Sequence, residues 1–438
     1  MKIPYTQTLY LLCILVISAF AAFGQVVAPA SPQSQPIALV GATAHIGNGE
    51  VIERSVIIII DGKISEVLSA TGVDRQIEGY KIIEVGGMHA YPGLILPNSE
   101  LGLSEISAVR ATIDRAERGG LNPNVRSIIA YNTDSEIIPT MRFNGILMAQ
   151  VAPVGGLISG SSSMVQLDAW NWEDAAFKVD EGIYLNWPSK LLSARWWMGE
   201  TEPRKNENYD KNLQDLTKLM TDAQAYAQDA PQDPNLKLEA MQGLFDGSKA
   251  IYIRVNQASG IVQSVQLTRS LGVKRIVVVG GSEALMVKDF LKENNIPVVI
   301  GQVHRLPGRS HRDVYLPYKL PGLLHEAGIK VALSYSGRSS SARNLPFVAG
   351  TAAAYGLDRE TALQMVTANS AQILGIDDRV GTLEAGKDAT LIISSGDILD
   401  MMGNDMQYAF IQGRLVSLNN KQQVLYQKYK QKYDDSQE

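Results

Sequence analysis

Two polar side chains stand two residues apart at the end of an apolar stretch. The stretch is GMHAYPGLILPNSELGL, and the two residues are Asn98 and Glu100. On a β-strand, residues two apart point to the same side of the strand. An amide and a carboxylate on one side could hold a hard cation such as Mg²⁺ or Ca²⁺ through their oxygen atoms. Without a metal, a buried carboxylate needs a cationic partner instead.

A second polar pair ends another apolar stretch, AIYIRVN, where Arg254 and Asn256 stand. If both stretches are strands of one barrel, their carboxyl ends meet at the barrel mouth. We therefore expect Glu100 to form an ion pair with Arg254, as the alternative to a bound cation.

Histidines offer a separate possibility for metal binding. His304 and His311 lie with Asp313 in the segment GQVHRLPGRSHRDVYLPY, which follows a predicted strand. These three side chains could build a metal site or contact a substrate. The segment is also rich in cations that would repel a metal, and this favours a polar loop over the barrel mouth; the arginines are Arg305, Arg309 and Arg312.

Two further stretches contain residues suited to anion binding. GRSSSARNLP brings Arg338 and Arg343 to the end of the last predicted strand, where they could recognise an anionic ligand or stabilise the loop. VGGLISGSSSMVQLD is rich in glycine and serine and could cradle a phosphate. It lacks the Lys-Ser/Thr ending of a P-loop. We predict a loop between the second and third barrel strands here, and we count SMVQLDA (Ser163 to Ala169) among the strands.

Composition narrows the compartment and the chemistry. Residues 1–24 have a positive start, an apolar core and small residues before Gln25, as in a secretory signal peptide, with a retained membrane anchor as the alternative. We therefore expect a secreted or periplasmic bacterial protein. The only cysteine, Cys13, lies in this segment, so the mature chain would have neither a disulfide nor a thiol nucleophile. A net charge of -5 gives no case for nucleic acid or for a membrane surface after cleavage.

The rest of the chain predicts an α/β body between two β-rich ends. Residues 25–35 indicate a flexible lead-in, and short β runs with hairpin signals occupy 36–90 and 385–425. Between them, apolar β-branched runs alternate with helical patterns, which is typical of parallel βαβ units. The body spans 91–384, with a Trp-rich helical insertion at about 170–240. One of the strands that a closed barrel needs is not found elsewhere, so it must lie in this insertion. Residues 426–438 form a polar tail.

Three stretches resemble the amidohydrolase superfamily, in its imidazolonepropionase-like branch. They are DGKISEV, GGMHAYPGLILPNSELGL and NLPFVAGTAAAYGLDRETALQMVTANSAQILGIDDRVGTLEAGKDATLII. The resemblance implies a distorted (β/α)8 TIM barrel with a small composite β-sandwich built from both termini. It also implies hydrolysis of non-peptide carbon–nitrogen bonds, in cyclic amides or dipeptide-like substrates, with a catalytic zinc.

The metal ligands that the resemblance implies are replaced in this sequence. The family's first barrel strand ends in His-x-His, where Asn98 and Glu100 stand here. A further histidine is implied where Arg254 or Asn256 stands, another at 280–282, and an aspartate at Tyr335 or Ser336. A catalytic zinc needs about three protein ligands. We therefore expect no cofactor, with a divalent cation at Glu100 or at His304 and His311 as the alternative.

Three interpretations of function remain open. The chain could be a pseudoenzyme that binds a small polar or anionic ligand without hydrolysing it. It could support an active homologue as a subunit, in a homo- or hetero-oligomer. It could also be a working hydrolase with a non-standard metal site. For all three, the predicted ligand-pocket residues are Asn98, Glu100, Arg254, Asn256, His304 and Arg338.

Overall fold

A computed structural model describes residues 28–69, 79–226, 233–307, 312–335 and 339–434 of the chain. The predicted signal peptide, the first residues of the lead-in, His311 and Arg338 lie outside these residues.

The described strands form two eight-stranded sheets and one short two-stranded pair. In chain order they are β1 (Ile37–His45), β2 (Val51–Ile60), β3 (Lys63–Ser69), β4 (Lys81–Glu84), β5 (His89–Pro92), β6 (Leu94–Ser99), β7 (Ile146–Val151), β8 (Ile158–Gln166), β9 (Ala176–Asn186), β10 (Leu191–Leu192), β11 (Arg204–Lys205), β12 (Ala250–Val255), β13 (Arg275–Gly280), β14 (Val298–Ile300), β15 (Val331–Leu333), β16 (Leu391–Ser394), β17 (Met406–Ile411) and β18 (Arg414–Leu415).

Helices cover the outside of the second sheet and one follows the last strand. They are α1 (Ile138–Phe143), α2 (Trp172–Ala175), α3 (Tyr209–Tyr226), α4 (Leu236–Ala240), α5 (Gly243–Asp246), α6 (Ala258–Ser270), α7 (Lys288–Glu293), α8 (Leu316–Glu326), α9 (Leu345–Ala354), α10 (Arg359–Gln364), α11 (Ala368–Leu374) and α12 (Lys421–Asp434). Within the described ranges, no helix combines the length and apolarity that crossing a bilayer requires.

Both ends of the chain contribute to the first sheet, as the sequence predicts. Its order is β18-β17-β16-β5-β1-β2-β3, with β4 beside β1. The two ends meet where β5 pairs antiparallel with β16, so that Tyr91 lies opposite Ile392. At Gly93 the chain leaves this sheet for the barrel, and a Cβ there would come within 2.9 Å of the Leu147 side chain.

The second sheet is a nearly closed barrel in the order β6-β7-β8-β9-β12-β13-β14-β15. The mixed α/β fold that the sequence predicts is confirmed, with one departure from parallel βαβ order. β8 runs antiparallel to both β7 and β9, and it begins at Ile158, five residues before the strand predicted at Ser163 to Ala169. Small residues are required in β8 because the segment around Val125 packs directly against it. Ser161 donates its backbone N–H to Val125, and a Cβ on Gly160 would meet the same carbonyl oxygen at 2.5 Å.

A break between two helices completes the barrel. The stretch ETALQMVTANSAQILG suggests one continuous helix, but the structure divides it into α10 and α11. The carbonyl groups freed at this break accept hydrogen bonds from the two outermost barrel strands. Met365 accepts from Leu333 N–H at 3.0 Å, and Val366 accepts from Ile95 N–H at 2.9 Å. The break therefore satisfies backbone donors that would otherwise be buried and unpaired.

The Trp-rich stretch is less helical than predicted. It contains β9, the remaining barrel strand that was predicted to lie in this stretch. The small hairpin of β10 and β11 follows β9. Trp172 and Trp187 pack against the core, whereas Trp196 and Trp197 are 79% and 67% exposed near the hairpin tip.

A buried polar network fills part of the barrel interior. Glu181, which is 1% exposed, accepts hydrogen bonds from Ser162 Oγ at 2.5 Å, Gln150 Nε2 at 2.6 Å and Tyr252 Oη at 2.7 Å. Tyr184 stacks on Tyr252 with ring centroids 4.9 Å apart and donates its hydroxyl to Gln150 Oε1 at 2.7 Å. Burial raises the pKa of Glu181, and these three hydrogen bonds act in the opposite direction.

A second buried carboxylate joins the two sheets. Asp168 is 4% exposed and accepts from Arg142 Nη1 at 2.8 Å and from Arg414 Nη1 at 2.9 Å. It also accepts from the backbone N–H of Ala30 at 2.9 Å. Arg142 belongs to α1 beside the barrel, Arg414 belongs to β18, and Ala30 to the amino-terminal segment, so one carboxylate fixes three parts of the chain.

We expect Asp168→Ala to lower the free energy of unfolding by about 3–5 kcal/mol, because it leaves buried guanidinium groups without their carboxylate. Urea denaturation followed by tryptophan fluorescence measures the change. Asp222→Ala is the matched control: its partner Lys218 is exposed, and its loss should cost no more than about 0.5 kcal/mol. Equal losses in the two variants would show that Asp168 does not join the sheets energetically.

Glu181→Gln should change how stability depends on pH. Because the folded-state pKa is raised above the ordinary 4.5, the contribution of Glu181 is fully present below that value and is lost as pH rises through the folded pKa. The melting temperature of the unsubstituted protein should therefore fall relative to that of Glu181→Gln as pH rises from 4.5. Glu293→Gln, at an exposed position of α7, should give a curve parallel to the original. A parallel curve for Glu181→Gln as well would contradict the expectation.

Candidate functional site

A cavity of about 300 Å³ opens at the carboxyl ends of the barrel strands. Barrel enzymes place their active sites at this end. Four of the predicted pocket residues line it together: Asn98, Glu100, Arg254 and Asn256. The other lining residues are Ser99, Val154, Asn186, Val279, Gly280, Gly301, Tyr335, Ser339 and Ala342.

The guanidinium of Arg254 is held at the mouth by neutral acceptors. Nε and Nη2 donate to Asn98 Oδ1 at 3.2 and 3.0 Å, and Nη1 donates to the carbonyl oxygen of Pro153 at 2.9 Å. The group also lies over the ring of Tyr184, 4.2 Å from its centroid. Burial lowers the pKa of Arg254, against the opposing effects of Tyr184 and Glu100. It stays cationic, because arginine is not deprotonated in proteins.

Asn98 is positioned by an unusual backbone conformation. Its φ angle is +52°, in the left-handed region that asparagine tolerates better than most residues. Its backbone N–H donates to Gln150 Oε1 at 2.9 Å, so the buried network below supports it. The side-chain oxygen is thereby aimed at Arg254. Strained residues of this kind cluster at functional sites.

The expected ion pair between Glu100 and Arg254 is not formed. Glu100 Oε2 accepts from Arg115 Nη1 at 2.7 Å instead. Arg115 belongs to the irregular segment after β6. The cation that pairs with Glu100 therefore belongs to the rim of the cavity and not to the opposite strand β12. Glu100 and Arg254 therefore line one cavity with separate partners.

The remaining predicted residues do not join this group. His304 Nε2 shares a hydrogen bond with Thr351 Oγ1 at 2.7 Å, and partial burial lowers the pKa of His304. Asp313 pairs with Lys319 at 2.9 Å, and hydrogen bonds from Lys319 and from the backbone of Tyr315 lower its pKa. His311 and Arg338 lie outside the described residues.

The residues at the mouth do not fit the zinc that the resemblance implies. Glu100 is the only carboxylate in the described lining, and Arg115 already pairs with it. The amide oxygen of Asn98 already accepts two N–H groups from the permanent cation Arg254. Across the ranges that the structure covers, no three His, Cys, Asp or Glu side chains are grouped so that they could hold a metal.

Sequence reasoning missed the residues that support the site from below and beside it. Asn186 ends β9 and lines the cavity while its Nδ2 donates to Gly156 O at 2.8 Å and Ser159 Oγ at 2.9 Å. Gln150 lies fully buried in β7. The one available signal was a polar residue inside an apolar run, as in GILMAQV, because a buried amide requires hydrogen-bond partners.

The carboxyl-terminal region matches a known family. Residues 274–424 match the model of the Amidohydrolase family. No curated protein matches the chain by sequence.

Solved structures share the fold over most of the chain. An amidohydrolase from Thermotoga maritima MSB8 superposes with a TM-score of 0.77 at 21% identity, covering 87% of this chain and 99% of that one. A prolidase in complex with N-methylphosphonate-L-proline gives 0.54 at 15% identity, covering 87% and 99%. A Xaa-Pro dipeptidase with methionine in its active site gives 0.53 at 13% identity, covering 87% and 100%. The family match is confined to this carboxyl-terminal region, and the solved structures show that the barrel fold is shared over most of the chain.

Proposed function

We propose that the barrel mouth binds a small organic anion and does not carry out the metal-dependent hydrolysis typical of the fold. The observation that carries the proposal is Arg254, a half-buried cation whose hydrogen bonds within the described residues all go to neutral acceptors. Of the five N–H donors of a guanidinium, these bonds use three, and among the described residues the other two are left for a ligand.

A carboxylate is the anion that this arrangement favours. Arginine donors in a fixed plane match the two oxygens of a carboxylate. The cavity of about 300 Å³ suits a small molecule of amino-acid or dipeptide size. The proline derivative and the methionine bound to the related prolidase and dipeptidase belong to this class. We infer that the ligand is an amino-acid-like or dipeptide-like carboxylate.

Loss of hydrolysis is inferred from the donor set. Family hydrolysis depends on a metal-activated water. Here the permanent cation Arg254 and the amide of Asn98 lie at the mouth, and Glu100, the one carboxylate among the described lining residues, is paired with Arg115. The alternative, an active hydrolase of carbon–nitrogen bonds, is supported by the family match and by the prolidase and dipeptidase relatives.

Location and assembly belong to the same proposal. The apolar segment at 1–24 supports export to the periplasm or the medium. Association with a second chain is supported by the exposed apolar tip of the β10–β11 hairpin, where Trp196, Trp197 and Met198 are 79%, 67% and 62% exposed. A partner could be another copy or an active homologue.

Arg254→Gln should weaken carboxylate binding about 10- to 100-fold, since charge-assisted hydrogen bonds contribute about 1.5–3 kcal/mol. Isothermal titration with a panel of dipeptides and N-acyl amino acids measures this, and each compound is paired with its neutral carboxamide. Arg54→Gln removes the same charge from an exposed position of β2, in the first sheet, and should leave binding unchanged. If the carboxamides bind as well as the acids, the anion assignment is wrong.

Metal analysis of the purified mature protein tests the loss of hydrolysis. We expect far less than one equivalent of zinc, manganese or cobalt per chain, because fewer than the roughly three required ligands converge at the mouth. Dipeptides, hydantoins and cyclic amides, assayed at neutral pH with and without added Zn²⁺, should remain intact. Stoichiometric zinc together with turnover would establish the active-hydrolase alternative.

A further inference from the structure

A second cavity lies at the other end of the barrel from the candidate site. It measures about 410 Å³ and is bounded by the amino-terminal ends of β13, β14 and β15 and by α11. The mechanism proposed for the mouth makes no use of it. The packed side chains of the barrel interior, including Tyr252 and Val277, lie between this cavity and Arg254.

The walls of this basal cleft are strongly basic. Five cationic side chains line it, and none of its described lining residues is acidic; they are Arg269, Lys274, Arg275, Lys292 and Lys330. The chain as a whole has a net charge of -5, so the charge of this cleft is opposite in sign to the net charge of the chain. Clefts lined by one sign of charge concentrate the oppositely charged ligand.

These cations are oriented without being neutralised. Arg269 donates to the side-chain and backbone oxygens of Asn294 at 2.5 and 2.9 Å, and Arg275 donates to the carbonyl oxygen of Ile373 at 3.3 Å. The three lysines form no ion pair within the described part of the chain. Neutral acceptors fix the directions of the two guanidinium groups and leave their charge available.

We propose that this basal cleft is a binding site for a small molecule that carries phosphoryl groups. Several cations around one concave surface suit a ligand with two or more negative charges, which a single carboxylate does not supply. Arginine matches phosphate oxygens in pairs, and lysine acts as a point charge for the same group. A concave volume of about 410 Å³ favours a small molecule over the flat surface of a macromolecule.

Inorganic pyrophosphate is the probe for this site, titrated calorimetrically into the full mature chain at about 50 mM NaCl. We expect one saturable site, weakened about tenfold or more in the Lys292→Gln/Lys330→Gln variant, in which two charge-assisted contacts are lost. Both lysines are exposed, so the melting temperature of this variant should be unchanged. Raising NaCl to about 500 mM should weaken binding, because salt screens exposed charges.

Two control variants make the outcome decisive. Lys237→Gln/Lys430→Gln removes the same charge from exposed positions far from the cleft in sequence and should bind pyrophosphate like the original protein. Arg254→Gln should also bind it normally, because that residue belongs to the mouth. The proposal is overturned if pyrophosphate does not saturate by about 10 mM, if either control loses binding equally, or if only a hexaglutamate peptide binds, which would indicate an acidic protein partner.

Discussion

The arrangement at the barrel mouth depends on one contact, between the guanidinium of Arg254 and the side-chain oxygen of Asn98. A guanidinium is a permanent cation, so it cannot share its position with a metal ion and must be satisfied by acceptors. Asn98 provides one by adopting a left-handed φ of +52°, and Tyr184 provides a ring face on the inner side. Gln150 then joins Asn98 and Tyr184 to the buried Glu181. The mouth and the barrel interior are thus one hydrogen-bonded unit.

This unit separates the shared barrel fold from the metal-dependent chemistry that the sequence resemblance implies. Backbone hydrogen bonds and apolar contacts hold the barrel strands in place. For example, the carbonyl groups of Met365 and Val366 accept hydrogen bonds from the two outermost barrel strands. None of these interactions requires a metal. The side chains at the strand ends can therefore change while the barrel remains, which is why a shared fold does not transfer an activity. A cation such as Arg254 at the end of a barrel strand disfavours a metal ion there, because like charges repel.

The sequence predicted the parts that depend on local pattern. The apolar β-branched runs identify the barrel strands, and the resemblance identifies the sheet shared by both ends. The second half of β8 was predicted as a strand, but its first half and its antiparallel direction were missed, because the glycines and serines there have low strand propensity. These small residues are needed for a non-local contact with the segment around Val125. The partner of Glu100 was missed for a similar reason. Arg115 lies in an irregular segment without periodicity, where no pattern places a side chain in space.

The two cavities share one electrostatic feature. The chain has 45 acidic and 40 basic residues, so a carboxylate partner is statistically easy to supply for any cation. Buried or concave cations are normally paired, since an uncompensated charge away from water is costly. Arg254 at the mouth and Arg275 at the base are nevertheless held by neutral oxygens in the described structure. Positive charge without a hydrogen-bonded carboxylate in the described structure is the feature that the two proposed ligand sites have in common.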